Sequence, residues 1–179
     1  NMLVDDQDIL RDIFLNTDLI IVVHSEDEQI INENLEKYKS KYGSNIPFEL
    51  HSKIRSEESC LKSTKKIIKL AKETNARLHV FHLSTKSESL LFDNSMPLKD
   101  KKITSEVCVH HLWFSDNDYK NKQSLIKWNP SIKTSEDRNG IWDALLNDKI
   151  DVIATDHAPH TIKEKSKSYL ECPSGGPLV

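Results

Sequence analysis

Four short apolar runs, separated by segments with helical spacing, constrain the fold of this chain most strongly. The runs are "DLIIVVH", "RLHVFHLS", "KITSEVCVHH" and "DVIATDH". Apolar runs of this length are typical of strands that are buried on both faces of a parallel sheet. Because each run is preceded or followed by a helical pattern, the sequence predicts an α/β protein with parallel strands.

The helical segments between the runs contain recognisable start and stop signals. Ser56 is expected to cap one helix, because its hydroxyl can accept a hydrogen bond from the first turn. Gly43 is expected to end the helix before it, and the last long helix is predicted to begin near Ser135. Its inward face is predicted to contain Ile141, Trp142, Leu145 and Leu146.

Composition excludes several classes of protein. A formal net charge of -3 over 179 residues gives no global basic field, which argues against nucleic acid or an anionic membrane as a partner. No apolar run approaches the roughly 20 residues of a membrane helix, and the first residues, "NMLVDDQ", show no signal-peptide pattern. Cys60, Cys108 and Cys172 form neither a CxxC motif nor an even disulfide set. These features fit the reducing cytoplasm.

Each of the four predicted strands ends in histidine or aspartate. These residues are His24, His82, the pair His110 and His111, and Asp156. One histidine at a strand end is more often structural than functional, but four successive strands with such ends are unusual. Functional groups collect at the carboxyl ends of strands in parallel α/β proteins, so we expect a site there.

The residue types at these strand ends suit a catalytic metal. Imidazole nitrogens and carboxylate oxygens are ligands of Zn²⁺, and His24 and His82 are the natural neutral ligands. Asp156 is the candidate base, since a carboxylate beside the metal can accept the proton of an activated water. A Cys108–His110 pair is a weaker alternative, and the chain contains no GxSxG, GxGxxG or P-loop motif.

Six segments together resemble one family. "VVHSEDE", "LHVFHLST", "EVCVHHLWF", "KWNPSIK", "DRNGIWDALL" and "IDVIATDHAPHT", in this order, resemble the dihydroorotases of the amidohydrolase superfamily, in a bacterial form. The resemblance covers nearly the whole chain and implies a metal-dependent (β/α)8 barrel of the TIM type. The family's HxH pair from the first strand does not occur here, and a whole barrel takes about 250 residues. We therefore expect residues 1–179 to be a partial barrel domain, about strands five to eight, that is inactive alone.

The resemblance also implies a reaction and its residues. The expected reaction is the reversible cyclisation of N-carbamoyl-L-aspartate to L-dihydroorotate in pyrimidine biosynthesis, by a metal-activated hydroxide with Asp156 as the proton shuttle. One or two zinc ions are expected, with His24, His82 and Asp156 as ligands. The residues expected to bind the substrate are Asn129, His160, Ser174 and Gly175. The expected partner is this small molecule, and a homo-oligomer remains open.

Two alternatives remain open from the sequence. Another cyclic-amide hydrolase, such as a hydantoinase or an allantoinase, would share the metal ligands but is expected to lack the "NPxxK" and "HAPH" segments. A non-catalytic relative that keeps the barrel as a scaffold is the other alternative. The residues upstream of Asn1 would distinguish it, because a catalytic relative needs the HxH pair and a bridging lysine or aspartate there.

Overall fold

A parallel four-stranded sheet flanked by helices forms the centre of the computed structural model, which describes Val4 and residues 6–178. Most of the "NMLVDDQ" segment, in which the sequence shows no signal-peptide pattern, lies outside the described residues. The strands are β1 (Ile21–Val23), β2 (Leu78–Val80), β3 (Ile103–Cys108) and β4 (Val152–Ala154).

The strands lie side by side in chain order, β1-β2-β3-β4, and every pair is parallel. Leu78 of β2 is in register with Ile21 on one side and with Ile103 on the other. The prediction of an α/β protein with parallel strands is confirmed. Since all strands run the same way, their carboxyl ends share one edge, and the residues that follow them are brought together there.

Helices connect the strands. The α-helices are α1 (Gln7–Leu15), α2 (Glu28–Tyr42), α3 (His51–Ile54), α4 (Glu57–Thr74), α5 (Lys86–Ser89), α6 (Val109–Trp113), α7 (Tyr119–Lys122), α8 (Ser135–Leu146) and α9 (Ile162–Lys165). Short 3-10 helices occupy Phe48–Leu50, Leu98–Asp100, Asp116–Asp118 and Gln123–Ile126. Within the described residues, none of the helices has both the length and the apolar character that a membrane crossing requires.

The predicted helix signals act as expected. The hydroxyl of Ser56 accepts a hydrogen bond from the backbone N–H of Ser59 and caps α4. Gly43, with φ 60°, follows the last residue of α2, and its N–H donates to the carbonyl of Lys39. Thr134 caps α8, which begins at Ser135 as predicted.

Two sequence predictions about element boundaries and faces are wrong. His110 and His111 do not end the third strand, because β3 stops at Cys108 and both histidines lie in α6. There His110 stacks on the indole of Trp128 at a centroid distance of 4.4 Å. In α8 the inward face is narrower than predicted, since Ile141 is buried whereas Trp142 and Leu146 are 41% and 73% exposed.

The core lies between the sheet and the helices. Leu78, Val80 and Val107 are fully buried, and they pack in one cluster with Ile141 of α8 and Phe14 of α1. Alternate residues of β2 therefore face the helices. His79 faces the other way, and its Nε2 lies 3.1 Å from Glu106 Oε2 of the neighbouring strand.

Leu78→Ala is expected to lower the free energy of unfolding by about 2–5 kcal/mol, because a fully buried leucine leaves a cavity when truncated. Urea unfolding followed by circular dichroism measures this. Leu146→Ala, at an exposed position of α8, is the matched control and should change stability by less than about 0.5 kcal/mol. Equal unfolding midpoints for the two variants would contradict this description of the core.

Candidate active site

Three of the predicted site residues follow the carboxyl ends of strands. His24 comes directly after β1, His82 lies two residues after β2, and Asp156 lies two residues after β4. His82 has φ 35° and Asp156 has φ 48°. These left-handed values are costly for residues other than glycine, and strain of this kind is concentrated at functional sites. The sharp turns carry both side chains out of the regular strand path.

The imidazoles of His24 and His82 face each other. His24 Nδ1 lies 2.9 Å from His82 Nε2, and the rings meet edge to face. Burial, with a smaller contribution from His24, lowers the pKa of His82 to about 3, so its imidazole is neutral near pH 7. Its other nitrogen, Nδ1, is buried without a hydrogen-bond partner in the described part of the chain. The two rings are therefore joined through one nitrogen of each.

Asp156 lies within electrostatic range of His24, and its pKa is raised. Burial is the largest cause and the charge of Glu106 adds to it, whereas His24 acts in the opposite direction. A carboxylate whose pKa is raised toward neutrality is better suited to exchange protons. Asp156 lies after β4 at the strand edge, and its role as a base stays a prediction.

The donor set fits a zinc ion in chemistry but is incomplete by itself. Neutral imidazole nitrogens and a carboxylate are ligands that Zn²⁺ accepts. In the described part of the chain, no three His, Cys, Asp or Glu side chains lie close enough together to hold a metal ion. His24 and His82 bring two imidazole nitrogens together, and a metal site here would need further ligands.

Glu26 is a site residue that the sequence prediction missed. Its side chain is fully buried, and it accepts hydrogen bonds from His24 Nε2 at 3.0 Å and from Arg55. Burial alone would raise the pKa of Glu26, but the hydrogen bond from His24 and the charges of Arg55 and Lys133 outweigh it and bring the pKa to about 2. The available signal was the spacing from His24, because residues i and i+2 of an extended segment share a face.

The four residues predicted to bind a substrate meet in one cluster. His160 Nε2 donates to the carbonyl of Ser174 at 2.9 Å, and Ser174 Oγ donates to Asn129 Oδ1 at 3.1 Å. Gly175 has φ 118°, and a Cβ there would lie 2.6 Å from the carbonyl oxygen of Ala158. Only glycine is accommodated at this close approach. The structure thus brings together residues that are 46 positions apart in the sequence, from Asn129 to Gly175.

Two buried lysines hold this cluster in place. Lys165 Nζ donates to the carbonyls of Pro173 and Gly175 at 3.0 and 2.9 Å. Lys127 Nζ donates to the carbonyls of Tyr169 and Cys172, and burial lowers its pKa to about 8. Sequence reasoning missed both residues because lysine is rarely buried. We call residues 172–177 the C-terminal loop.

The remaining histidines have structural contacts. His157 Nδ1 accepts a hydrogen bond from the N–H of Leu178, the residue after the C-terminal loop, and this contact is away from the imidazole pair. His51 is buried between Tyr169 and Trp128, where its Nδ1 accepts a hydrogen bond from the tyrosine hydroxyl and its Nε2 donates one to the Trp128 carbonyl. His111 bonds the carbonyl of Pro130.

Comparison with known proteins gives the fold and the family of the chain. No family model matches the chain. In structure it is similar to a D-hydantoinase (dihydropyrimidinase) from Thermus sp., with a TM-score of 0.84 and 20% identity, over 96% of this chain and 39% of that one. The fold is that of part of an amidohydrolase-type TIM barrel.

Similarity in sequence identifies the family more narrowly than similarity in structure does. The chain is 34% identical to a dihydroorotase from Anoxybacillus flavithermus, over 88% of this chain and 36% of that protein. It is 42% identical to a dihydroorotase from Latilactobacillus sakei, over 60% of this chain and 25% of that protein. The chain belongs to the dihydroorotase family, and it spans about a quarter to a third of the length of these relatives.

Proposed function

We propose that the protein is a zinc-dependent dihydroorotase, which interconverts N-carbamoyl-L-aspartate and L-dihydroorotate in pyrimidine biosynthesis. One observation carries the proposal: His24 Nδ1 and His82 Nε2 converge to 2.9 Å at the edge where Asp156 follows β4. The similarity to dihydroorotases over 88% of the chain supports it. We further propose that residues 1–179 contribute strands five to eight of a single barrel domain.

We propose that His24, His82 and Asp156 are the ligands that this chain supplies for one or two zinc ions. When bound, zinc polarises a carbonyl group and lowers the pKa of water. The neutral state of His82 favours this role, because a metal ligand must offer a lone pair rather than a proton. Cleavage of the substrate ring also requires a group that transfers the proton and groups that orient the substrate, and we propose that residues of this chain provide both.

Asp156 is proposed to move the proton. In ring opening, its carboxylate accepts a proton from the attacking water and delivers it to the amide nitrogen that leaves the ring carbonyl. In ring closure, it takes a proton from the carbamoyl nitrogen as that nitrogen attacks the side-chain carboxyl carbon, and the proton leaves with the departing water. The raised pKa of Asp156 supports both directions, because the group must hold the proton and then release it.

The cluster of Asn129, His160, Ser174 and Gly175 is proposed to orient the substrate. An imidazole suits the substrate carboxylate, and the asparagine amide with the backbone groups of the C-terminal loop suits the donor and acceptor edge of a cyclic imide. Its internal hydrogen bonds fix the cluster before the substrate arrives, and fixed orientation is a large source of rate acceleration. The proposed partner is this small molecule, in the cytoplasm, and self-association into a homo-oligomer is part of the proposal.

The function is tested by ring-opening assays of the purified, zinc-supplemented protein that contains the complete barrel, with dihydroorotate, hydantoin and allantoin side by side. Turnover is expected with dihydroorotate, at a kcat/KM at least about tenfold above the other two, because a site built to bond a carboxylate penalises substrates that lack it. Turnover of hydantoin alone would contradict the proposal. A protein that binds zinc but turns over none of the three would indicate the scaffold alternative.

A hydantoinase is the second candidate, since the structural likeness to the Thermus sp. enzyme is strong. At 20% identity this likeness shows the fold alone. The four-residue cluster favours a substrate with a carboxylate, which hydantoin itself lacks. The side-by-side assay therefore separates the two candidates.

A further inference from the structure

Glu26 contacts the face of His24 that points away from His82. Its Oε2 accepts a hydrogen bond from His24 Nε2 at 3.0 Å, whereas His24 Nδ1 is the atom that lies 2.9 Å from His82 Nε2. Glu26 thus binds one nitrogen of the ring while the other faces the proposed metal position. The side chain of Glu26 is fully buried, and that of His24 is 42% exposed.

This contact determines where the proton of His24 resides. An ionised carboxylate can only accept hydrogen bonds, so Nε2 must carry the hydrogen. In a neutral imidazole the remaining nitrogen, Nδ1, then holds a lone pair. The lone pair is consequently on the nitrogen that faces His82, which is the arrangement that a cation requires.

Glu26 is itself held firmly. Arg55 Nη1 donates to the same carboxylate oxygen that bonds His24. The carbonyl of Arg55 accepts a hydrogen bond from Ser131 Oγ at 2.8 Å, and the N–H of Asp27, the next residue, donates to the carbonyl of Ser59 at 3.0 Å. The carboxylate therefore has little freedom to move away from the half-exposed imidazole.

We infer that Glu26, held by Arg55, is a positioning residue that sets the tautomer and the orientation of His24 so that its Nδ1 lone pair faces a divalent cation. This inference rests on the proposed function in one respect, namely that His24 is a zinc ligand. Carboxylates that bond metal-ligating histidines fix the ring and raise its basicity, and their loss costs about 10–100-fold in metal affinity or activity.

The test compares Glu26→Gln with wild type by two measurements. In protein with ¹⁵N-labelled histidine and without metal, the ring nitrogens of wild-type His24 are expected to show a protonated Nε2 and an unprotonated Nδ1. In Glu26→Gln the amide can donate as well as accept, so a mixture of tautomers is expected. Zinc affinity, measured by competition with a chromophoric chelator, is expected to fall about 10–100-fold.

Asp27→Asn is the matched control. It removes a carboxylate from the adjacent position, but the asparagine oxygen can still accept the hydrogen bond from Ile30 N–H that caps α2. Both the His24 tautomer and zinc affinity should equal those of wild type. If Glu26→Gln is unstable because Arg55 is left without its partner, the double variant Glu26→Gln/Arg55→Met removes both charges and gives the same readout.

The two measurements distinguish failure of the positioning role of Glu26 from failure of the proposed zinc site. An unchanged His24 tautomer in folded Glu26→Gln, or in the double variant, overturns the inference. A wild-type protein that shows the Nε2–H tautomer, lost in Glu26→Gln, but that fails to bind zinc contradicts the proposed metal site and leaves the positioning role of Glu26 supported. A tautomer change together with weakened zinc binding supports both.

Discussion

Asp156→Asn is expected to reduce kcat for dihydroorotate by about 10²- to 10⁴-fold, the usual contribution of a positioned acid–base group. Asparagine has nearly the same shape but cannot accept and return a proton. Because Asp156 is proposed to act on the reacting atoms and the substrate is held elsewhere, by the cluster around His160, the substrate dissociation constant should change much less. Steady-state kinetics and equilibrium binding of dihydroorotate measure the two quantities.

Asp143→Asn is the control for this variant. Asp143 is exposed on α8, so the same chemical change there should leave kcat within error of wild type. A near-normal kcat for Asp156→Asn, with zinc bound, would remove Asp156 from the role of proton shuttle.

Removal of zinc by dialysis against a chelator is expected to abolish turnover, and addition of zinc is expected to restore it. Loss of a residue that only orients a zinc ligand lowers zinc affinity by about 10–100-fold. In His82→Ala the zinc affinity should fall further, because a nitrogen that binds the metal directly is lost. Metal content after gel filtration, together with activity, is the measurement.

His157→Ala provides the comparison for this experiment. His157 is adjacent to Asp156 in sequence, but its ring bonds the N–H of Leu178. Zinc content should therefore be retained. If His157→Ala loses zinc and His82→Ala retains it, the proposed ligand set is incorrect.

Much of the fold could be predicted because buried parallel strands have a distinctive sequence pattern. All four strands lie within the predicted runs. The end of β3 could not be placed, since "VCVHH" remains apolar or neutral beyond Cys108, and a change from strand to helix at Val109 depends on packing against Trp128. Likewise the exposure of Leu146 depends on which elements cover α8, and helical spacing alone does not contain that information.

The candidate site was predictable where it depends on strand ends. His24, His82 and Asp156 were predicted because each lies at the end of a predicted strand, and in the structure all three follow strands at one edge of the sheet. Glu26 and Lys165 were missed for a shared physical reason: a charged residue is ordinarily solvated, and its burial depends on a distant partner. Those partners are Arg55 for Glu26 and the carbonyls of the C-terminal loop for Lys165.

The burial of Lys127 and Lys165 under the C-terminal loop affects how rigid the site would be when a substrate binds. Each ammonium group replaces its water shell with backbone carbonyls, so opening the loop would remove part of the compensation of each buried charge. The loop is therefore preorganised during folding, and the entropy of ordering it has been lost before any ligand arrives. A substrate would bind to a rigid site. The site would select its substrate by a shape and by hydrogen-bonding groups that are already in place, and not by closure of a mobile lid.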